Sequence, residues 1–590
     1  MTVKEIHRNP LLLFEFMNEK GEQSPILFTQ PTNIIVAYTI DEVLPCMLKI
    51  QEAVADGFFA AGYVSYEAAP AFDASYHVRP DHQLPLLWFG IFQESSVYER
   101  TESQGCYKVS EWKPSIYGDQ YHDGILKIKE AIRQGDTYQV NFTTRMHAHF
   151  EGDDFSFYQK LAKDQDSNYC AYLNIGDYRI LSASPELFFR WDGKKITTKP
   201  MKGTTARGKT RKEDEENATW LFHSEKNRAE NIMIVDLLRN DLGNIAKTGT
   251  VKVEKLFDIE QYPTVLQMTS TITAMTKENT SITDIFSALF PCGSITGAPK
   301  ISTMRLISEL EDSPREVYCG AIGYIRPQGE AVFNVPIRTV TIDAENGHAV
   351  YGVGGGITWD STTKDEYDEI VTKASLLTVE RPTFDLLESL KLDNGIYLLL
   401  DRHLNRLYDS AQYFHFHVRI DHIKKSLMDY ADNHRKGTFK VRLVVSKDGS
   451  HTITGEPIKP FHGPLIVALA REPIDEDHPF LYHKTTNRDV YNHFKTKLEP
   501  SLFDVVLWNK KGELTEFING NLVLEIQDEF FTPKITSGLL AGTFREELIH
   551  EGKIKERVLT KQDLLNCSSI WFINSVREWV NVKLKEDTII

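Results

Sequence analysis

Cysteine is scarce in this 590-residue chain, and what there is lies scattered. Cys46, Cys106, Cys170, Cys292, Cys319 and Cys567 form no CxxC and no paired spacing. That excludes a disulfide framework and a thiolate metal site, and it reads as reduced, cytoplasmic protein. Long apolar runs are missing too: the N-terminal region carries only Leu11-Leu-Leu-Phe14, too short for a signal peptide or a spanning helix. Positive charge is in deficit, with Lys+Arg 67 against Asp+Glu 83 and a net −16. This argues against nucleic acid or an anionic membrane as partner. Repeats, low-complexity tracts and coiled-coil heptads are also lacking. The remainder, 41% hydrophobic and 25% charged, is ordinary for a globular enzyme, and the length implies two to four cores.

The stretch that organises the chain is Lys199-Pro-Met-Lys-Gly-Thr-Thr-Ala-Arg-Gly208. Lys202 is followed by a glycine, which opens space around its amine, and by Thr204, whose hydroxyl can hold a polar substrate. Burial and the like charges of Lys199 and Arg207 are expected to lower its pKa towards nucleophilic range. Before it, residues 1–100 carry short strand signals with a helix over Ile40 to Asp56, and Asp73, His77 and Asp81 read as surface groups. Tyr121 to Gln134 has helical spacing closed by Gly135, and Tyr138 to Arg145 reads as a strand. Ile180 to Arg190 reads as a strand broken at Pro185; from local sequence Glu186 is an edge-strand carboxylate in solvent. Residues Arg207 to Glu216 read as a solvated charged loop.

Glu230 to Gly243 is a helix with apolar residues on nearly every face, expected to be largely buried, and Glu230 in its first half can hold a cation. Gly293-Ser-Ile-Thr-Gly-Ala-Pro-Lys300 is a glycine-rich turn opening a helix, without Walker spacing. Three strands are expected over Tyr318–Tyr324, Phe333–Ile342 and Ala349–Ile357. Arg338 interrupts the second and calls for an anionic partner; Gly354, Gly355 and Gly356 suit close approach of a ligand. Glu366, Glu369 and Lys373 share one helix face: either a solvated ion-pair ladder, or donors for a divalent ion shared with Glu230, for which oxygen ligands suit Mg2+. The pattern resets near Thr378 to Thr383, giving domains 1–377 and 378–590. The second carries a hairpin over Phe384 to Leu400, a helix over Asp401 to Ala411 and a strand over Phe439 to Ser446. It also carries Lys484, Glu516 and a glycine-punctuated turn at Ser537 to Arg545.

Residues up to about 375 resemble chorismate-utilising enzymes, in particular component I of aminodeoxychorismate synthase. The match runs through Gly135-Asp-Thr-Tyr-Gln-Val-Asn141, Ser184-Pro-Glu186, Pro200-Met-Lys-Gly-Thr204, Glu230 to Leu242, Gly293 to Lys300, Ile337-Arg-Thr339 and Glu366 to Lys373. The remaining third resembles class IV pyridoxal-phosphate enzymes, the group containing 4-amino-4-deoxychorismate lyase, through Asp401 to Ala411, Lys484, Leu514-Thr-Glu516, Asn521, Leu539 to Thr543 and Asn574 to Arg577. The resemblance implies an α+β fold: large antiparallel sheets with flanking helices, then two small α/β subdomains. It implies that Lys202 adds to chorismate as the C4 hydroxyl leaves, with Glu186 as general acid/base, and that ammonia then expels it. Anthranilate synthases have alanine at the Lys202 position. Mg2+ on Glu230, Glu366 and Glu369 would anchor the ring carboxylate. Arg338, Tyr318 and the backbone of Gly354 to Gly356 would hold the enolpyruvyl carboxylate, with Thr204, Lys373 and Gln267 also lining the substrate. Many relatives place histidine at Gln267; a glutamine there can hydrogen-bond but cannot titrate near neutrality.

In the second domain the resemblance implies pyridoxal phosphate on Lys484, Glu516 on its ring nitrogen with Asn521 nearby, and Arg406, Gly542 and Thr543 on its phosphate. Pyruvate release would then yield para-aminobenzoate. Class IV transaminases share this frame, and a non-catalytic domain that scaffolds or senses an amidotransferase is a third reading. The chain shows no amidotransferase-type cysteine elbow, so ammonia is expected from a separate glutamine amidotransferase subunit or free ammonium. Class IV relatives also imply a homodimer through the C-terminal domain.

Overall fold

The strand Leu11–Met17 shows how the first part of the chain is built: six of its seven residues are buried. Side chains alternate across a strand, so such a run must be covered on both faces. Leu11 and Leu13 enter one core with Ile125, Phe142 and Leu181. Leu12, Phe14 and Phe16 enter another with Tyr63, Phe92 and Tyr324. The computed structural model describes residues 10–585 except 101, 102, 104, 379, 380, 462 and 500. It divides into two units, Met1–Ala206 with Ala218–Arg381, and Arg207–Asn217 with Pro382–Ile590. The boundary expected near Thr378 to Thr383 includes 379 and 380, which lie outside the described residues.

The first unit is α+β, two antiparallel sheets of eleven and ten strands. An aromatic-rich core lies between them, where Phe14 contacts Phe16, Phe28 and Tyr324 edge-on. Helices cover the outer faces: Ile40–Ala55, Glu225–Gly243 and Ile282–Leu289 over the ten-stranded sheet, Gly118–Gln134 and Asp154–Gln165 over the eleven-stranded one. Local chemistry sets their ends. Thr39 and Glu42 form a capping box, and Gly135 closes Gly118–Gln134 with φ 83°. Asp73, His77 and Asp81 are exposed, as the sequence suggests.

Within these two sheets and their helices, three sequence expectations change. Tyr178–Ser184 belongs to the eleven-stranded sheet and Leu187–Trp191 to the ten-stranded one, so Pro185-Glu186 is a crossing between sheets rather than an edge. The expected strand Phe333–Ile342 likewise splits into Ala331–Asn334 and Thr339–Asp343, one in each sheet. The helix Glu225–Gly243 buries one face, with Ile234, Val235, Leu238 and Leu242, while Ile232 is exposed.

The second unit carries a four-stranded sheet with Leu400–Phe414 and Ile420–Asn433 packed on it. Its other sheet runs Leu514–Phe517, Asp504–Trp508, Ile466–Leu469, Glu578–Leu584, Ser569–Asn574, Asn521–Ile526, and then Glu529–Pro533 and Lys555–Arg557. Leu514–Phe517 also pairs with Asn521–Ile526, so the first six strands close into a ring. Arg207 to Glu216 is no solvated loop. Arg207 and Asp214 form an ion pair with side chains 7% and 8% exposed, and Asp214 stands in the first turn of the helix Arg211–His223.

Candidate active sites

Lys202 stands on a β-bulge. In the pairing of Met201–Ala206 with Val265–Met275, Met201 faces Thr269 but Thr204 faces Gln267, so one extra residue is accommodated between them. Gly203 takes φ 98°, a left-handed conformation that disfavours a side chain. Gln267 braces the bulge: its Nε2 donates to the Gly203 carbonyl at 2.8 Å, and its Oε1 accepts from Thr204 Oγ1 at 2.9 Å. Gln267 and Thr204, expected to line the substrate, are engaged with each other. Asn231 donates to the Lys202 carbonyl at 3.1 Å and accepts from Ser270. Burial lowers the Lys202 pKa, opposed by Glu186, Glu230 and Glu369, with Lys373 as the like charge. Lys199 and Arg207 do not act as expected: Lys199 pairs with Glu260, and Arg207 with Asp214.

The two crossings between sheets lie side by side. Val335 N donates to the Glu186 carbonyl at 3.1 Å, Ser184 Oγ to the Val335 carbonyl at 2.5 Å, and Ala183 N to the Arg338 carbonyl at 3.1 Å. Glu186 is 3% exposed, contrary to the solvent reading, and Ser294 Oγ donates to its Oε1 at 2.5 Å. Burial pushes its pKa up to about 7, against the pull of Ser294 and Lys202. Arg338 has φ 52°, and its buried Nη1 has no hydrogen-bond partner among the described residues, a donor suited to an anion. Tyr318 is buried with its ring against Gly352 and 5.4 Å from the Arg145 guanidinium; charge interactions tie it to Arg315 and Glu311 rather than to Lys202.

The strand His348–Ile357 forms the floor. A Cβ on Gly355 would stand 3.0 Å from Glu366 Oε2 and 3.7 Å from Glu369 Oε1. One on Gly356 would stand 1.9 Å from Gln139 Nε2 and 3.5 Å from Lys202 Nζ, whereas one on Gly354 would strike the Phe142 carbonyl. Gln139 belongs to this site although sequence reasoning did not select it, and its buried Oε1 has no partner among the described residues. Its signal lay inside the motif Gly135 to Asn141. Lys373 pairs with Glu369 at 2.6 Å and donates to the Gly354 carbonyl at 2.8 Å. Burial raises the pKa of Glu230 and Glu366, and the charge of Glu369 adds to both. Burial raises Glu369, but Lys373, with Lys202 and Lys226, brings it below the ordinary value. Among the described residues no group of three acidic, histidine or cysteine side chains is arranged to hold an ion. Glu230, Glu366 and Glu369 nevertheless offer only carboxylate oxygens, and the charge of Glu369 repels the other two, the chemistry a hard cation would take.

In the second unit the predicted cofactor residues come together. The Lys484 carbonyl accepts from Leu387 N at 3.0 Å on the strand Leu386–Asp393. Burial, with the Arg406 and Arg488 guanidiniums, brings its amine down to about 7. Glu516 is raised to about 7 by burial; it accepts from Tyr491 at 2.7 Å, Leu540 N at 3.2 Å and Asn521 Nδ2 at 3.2 Å. Gly542 leaves its backbone bare at the start of Thr543–His550, where a Cβ would stand 1.9 Å from Asn521 Oδ1. Sequence reasoning missed Glu388. This buried carboxylate accepts from Arg406 at 2.9 and 2.6 Å and faces His403 Nδ1 at 2.7 Å, while His403 Nε2 reaches Thr543 Oγ1 at 3.1 Å. Its signal was weak, one acidic residue on a half-apolar strand.

An amine in the field of a protonatable carboxylate and of a buried guanidinium in one unit, and a buried lysine with a second carboxylate in the other, make two enzyme-type groupings of side chains on one chain. Comparison with known proteins agrees. The chorismate binding enzyme family matches residues 101–379, and amino-transferase class IV matches 385–584. Aminodeoxychorismate synthase component 1 of Escherichia coli K12 is 41% identical over 267 residues, 45% of this chain and 58% of that protein. Anthranilate synthase component 1 of Methanothermobacter marburgensis is 32% identical over 341 residues, 54% of this chain and 73% of that protein. Anthranilate synthase component I from Streptococcus pneumoniae TIGR4 superposes with a TM-score of 0.53 at 27% identity, covering 60% of this chain and 91% of that one. The chain spans a little over half the length of the Escherichia coli relative it matches. It belongs to the chorismate binding enzyme family, fused to a class IV amino-transferase-like part.

Proposed function

We propose that the first site replaces the C4 hydroxyl of chorismate with an amino group, and that the second releases pyruvate from the product to give para-aminobenzoate, a folate precursor. The observation that carries the reading is Lys202 itself, an amine raised on a bulge, biased towards its neutral form and within the field of Glu186. Neutral Lys202 attacks ring carbon C2, the double bond shifts, and the C4 hydroxyl departs as water with a proton from Glu186. Ammonia then adds at C4, the double bond returns, and the C2–N bond to Lys202 breaks. Arg338, with its free Nη1, receives the enolpyruvyl carboxylate, with Tyr318 and the backbone of Gly354 to Gly356 beside it. Glu230, Glu366 and Glu369 would hold Mg2+, which supplies positive charge for the ring carboxylate once Lys373 yields Glu369.

The second site fits pyridoxal phosphate, which when bound acts as an electron sink. Lys484 would carry it and move protons, its depressed pKa suiting both tasks. Glu516 would hold the ring nitrogen; Arg406, Gly542 and Thr543 would face the phosphate. The lyase outcome rests on the fusion: a lyase placed after an aminating site consumes that site's product. Ammonia would come from a separate glutamine amidotransferase subunit, in keeping with relatives named as component 1. A homodimer through the second unit completes the proposal. Incubating the full chain with chorismate, ammonium, Mg2+ and pyridoxal phosphate should yield para-aminobenzoate and pyruvate. Anthranilate or isochorismate as the product would overturn the reading.

A further inference from the structure

The second unit is not one stretch of sequence. It includes Arg207–Asn217, which directly follow the strand Met201–Ala206 that bears Lys202. Within the second unit this borrowed segment is firmly fixed. The Arg207 guanidinium bonds Asp214 through Nε and Nη2, donates to the Tyr413 carbonyl at 2.8 Å, and lies 4.4 Å from the Tyr413 ring centre. Tyr413 OH donates to the Gly208 carbonyl at 2.8 Å, and Gly208 N to Asp214 at 2.7 Å. Lys209 pairs with Asp477 at 2.6 Å, and Arg211 with Asp409 at 3.0 Å.

The segment ends on the residue beside the cofactor lysine. His483 precedes Lys484, is 5% exposed, and stacks on Tyr413 at 4.3 Å. Its Nε2 lies 3.1 Å from the Lys209 carbonyl and its Nδ1 2.9 Å from Ser410 Oγ. A carbonyl can only accept, so Nε2 carries the proton and Nδ1 accepts from the serine. Burial holds the ring neutral, with its pKa down to about 3, so this tautomer persists throughout the working range. The loop of Lys484 is therefore held from two directions: by Leu387 on the strand Leu386–Asp393, and by the carbonyl of Lys209.

We propose that Arg207–Asp214 is a working part of the second site, and that through it His483 acts as a positioning residue for Lys484. This rests on the reading of Lys484 as the pyridoxal-phosphate lysine. Losing the clamp leaves the Nε2 proton of His483 buried without a partner and frees the loop to drift.

The test uses the full chain and measures pyridoxal-phosphate release and the position of the cofactor's visible band, with chorismate amination followed on the same preparations. Arg207→Ala and His483→Ala should each release cofactor about tenfold faster, the equivalent of one buried hydrogen bond, and should move the band. His483→Gln, which restores a donor near Nε2, should recover most of the loss; amination should change by less than about twofold. Release and band unchanged in both alanine variants would overturn the proposal, as would failure of His483→Gln to recover. Should Arg207→Ala fail to fold, Tyr413→Phe, which removes one hydroxyl, decides: faster release supports the clamp and wild-type release refutes it. A wild-type chain that takes up no pyridoxal phosphate would instead overturn the reading of Lys484.

Discussion

Lys202 and Lys484 are both amines whose charged form burial disfavours, but their neighbours differ. Glu186, Glu230 and Glu369 pull Lys202 back towards the ammonium, whereas two guanidiniums push Lys484 further towards neutrality. In the proposed reaction Lys202 therefore depends on Glu186 being protonated when it attacks. With Glu186 raised to about 7, amination at saturating ammonia should fall as pH rises through about 7, because the acid that expels the hydroxyl loses its proton. Glu186→Gln should lower amination roughly 10²–10⁴-fold and erase that limb of the pH–rate profile. A limb that survives the substitution would assign it to another group. The same raised pKa carries a stability sign. The folded state binds the proton more tightly than the unfolded chain, so this contribution is lost as pH rises from the ordinary glutamate range through about 7.

At the scale of elements, the bulge and the sheet crossings do the positioning. Gly203→Ala, at φ 98° with Asn227 and Met268 at 3.1 and 3.2 Å from the new Cβ, should cost about 1–2 kcal/mol of stability and re-aim Lys202. Urea unfolding and amination assays on that variant would show both losses; a loss of neither would mean the bulge is incidental. In the second unit Glu388, held at about 2 by Arg406 and His403 against its burial, stabilises the fold above the ordinary glutamate range. That contribution is lost as pH falls towards 2. Glu388→Gln should destabilise the second unit by about 3–5 kcal/mol, as for a broken buried pair, read as a lower denaturant midpoint. Much of this architecture was legible in sequence because its signals are local: Gly135 ends a helix, and helical periodicity marks Ile40–Ala55. Glu186 was misread as exposed because Ser294 and Val335, which enclose it, are remote in sequence. Arg207 to Glu216 read as solvent because its charges are balanced by tertiary partners such as Tyr413 and Asp477. Gln267 was placed on the substrate because nothing local shows that its amide is spent on a bulge.

Across the whole molecule, the account assigns one chemical step to each unit, and the steps should separate cleanly. Lys484→Ala should accumulate the 4-amino adduct without para-aminobenzoate, while Lys202→Ala should still release pyruvate from supplied aminodeoxychorismate. Chelation of divalent ions should stop amination and spare pyruvate release, since Glu230, Glu366 and Glu369 all belong to the first unit. Product analysis by chromatography distinguishes these outcomes, and a chelator that stopped both steps would contradict the division.

The most direct measurement is intact-protein mass spectrometry of the chain exposed to chorismate and Mg2+ without ammonia. The account predicts a mass increase of chorismate less one water, located on Lys202 by peptide mapping and discharged when ammonium is added. Rapid amination with no adduct at any time, or the same adduct formed in Lys202→Ala, would contradict it.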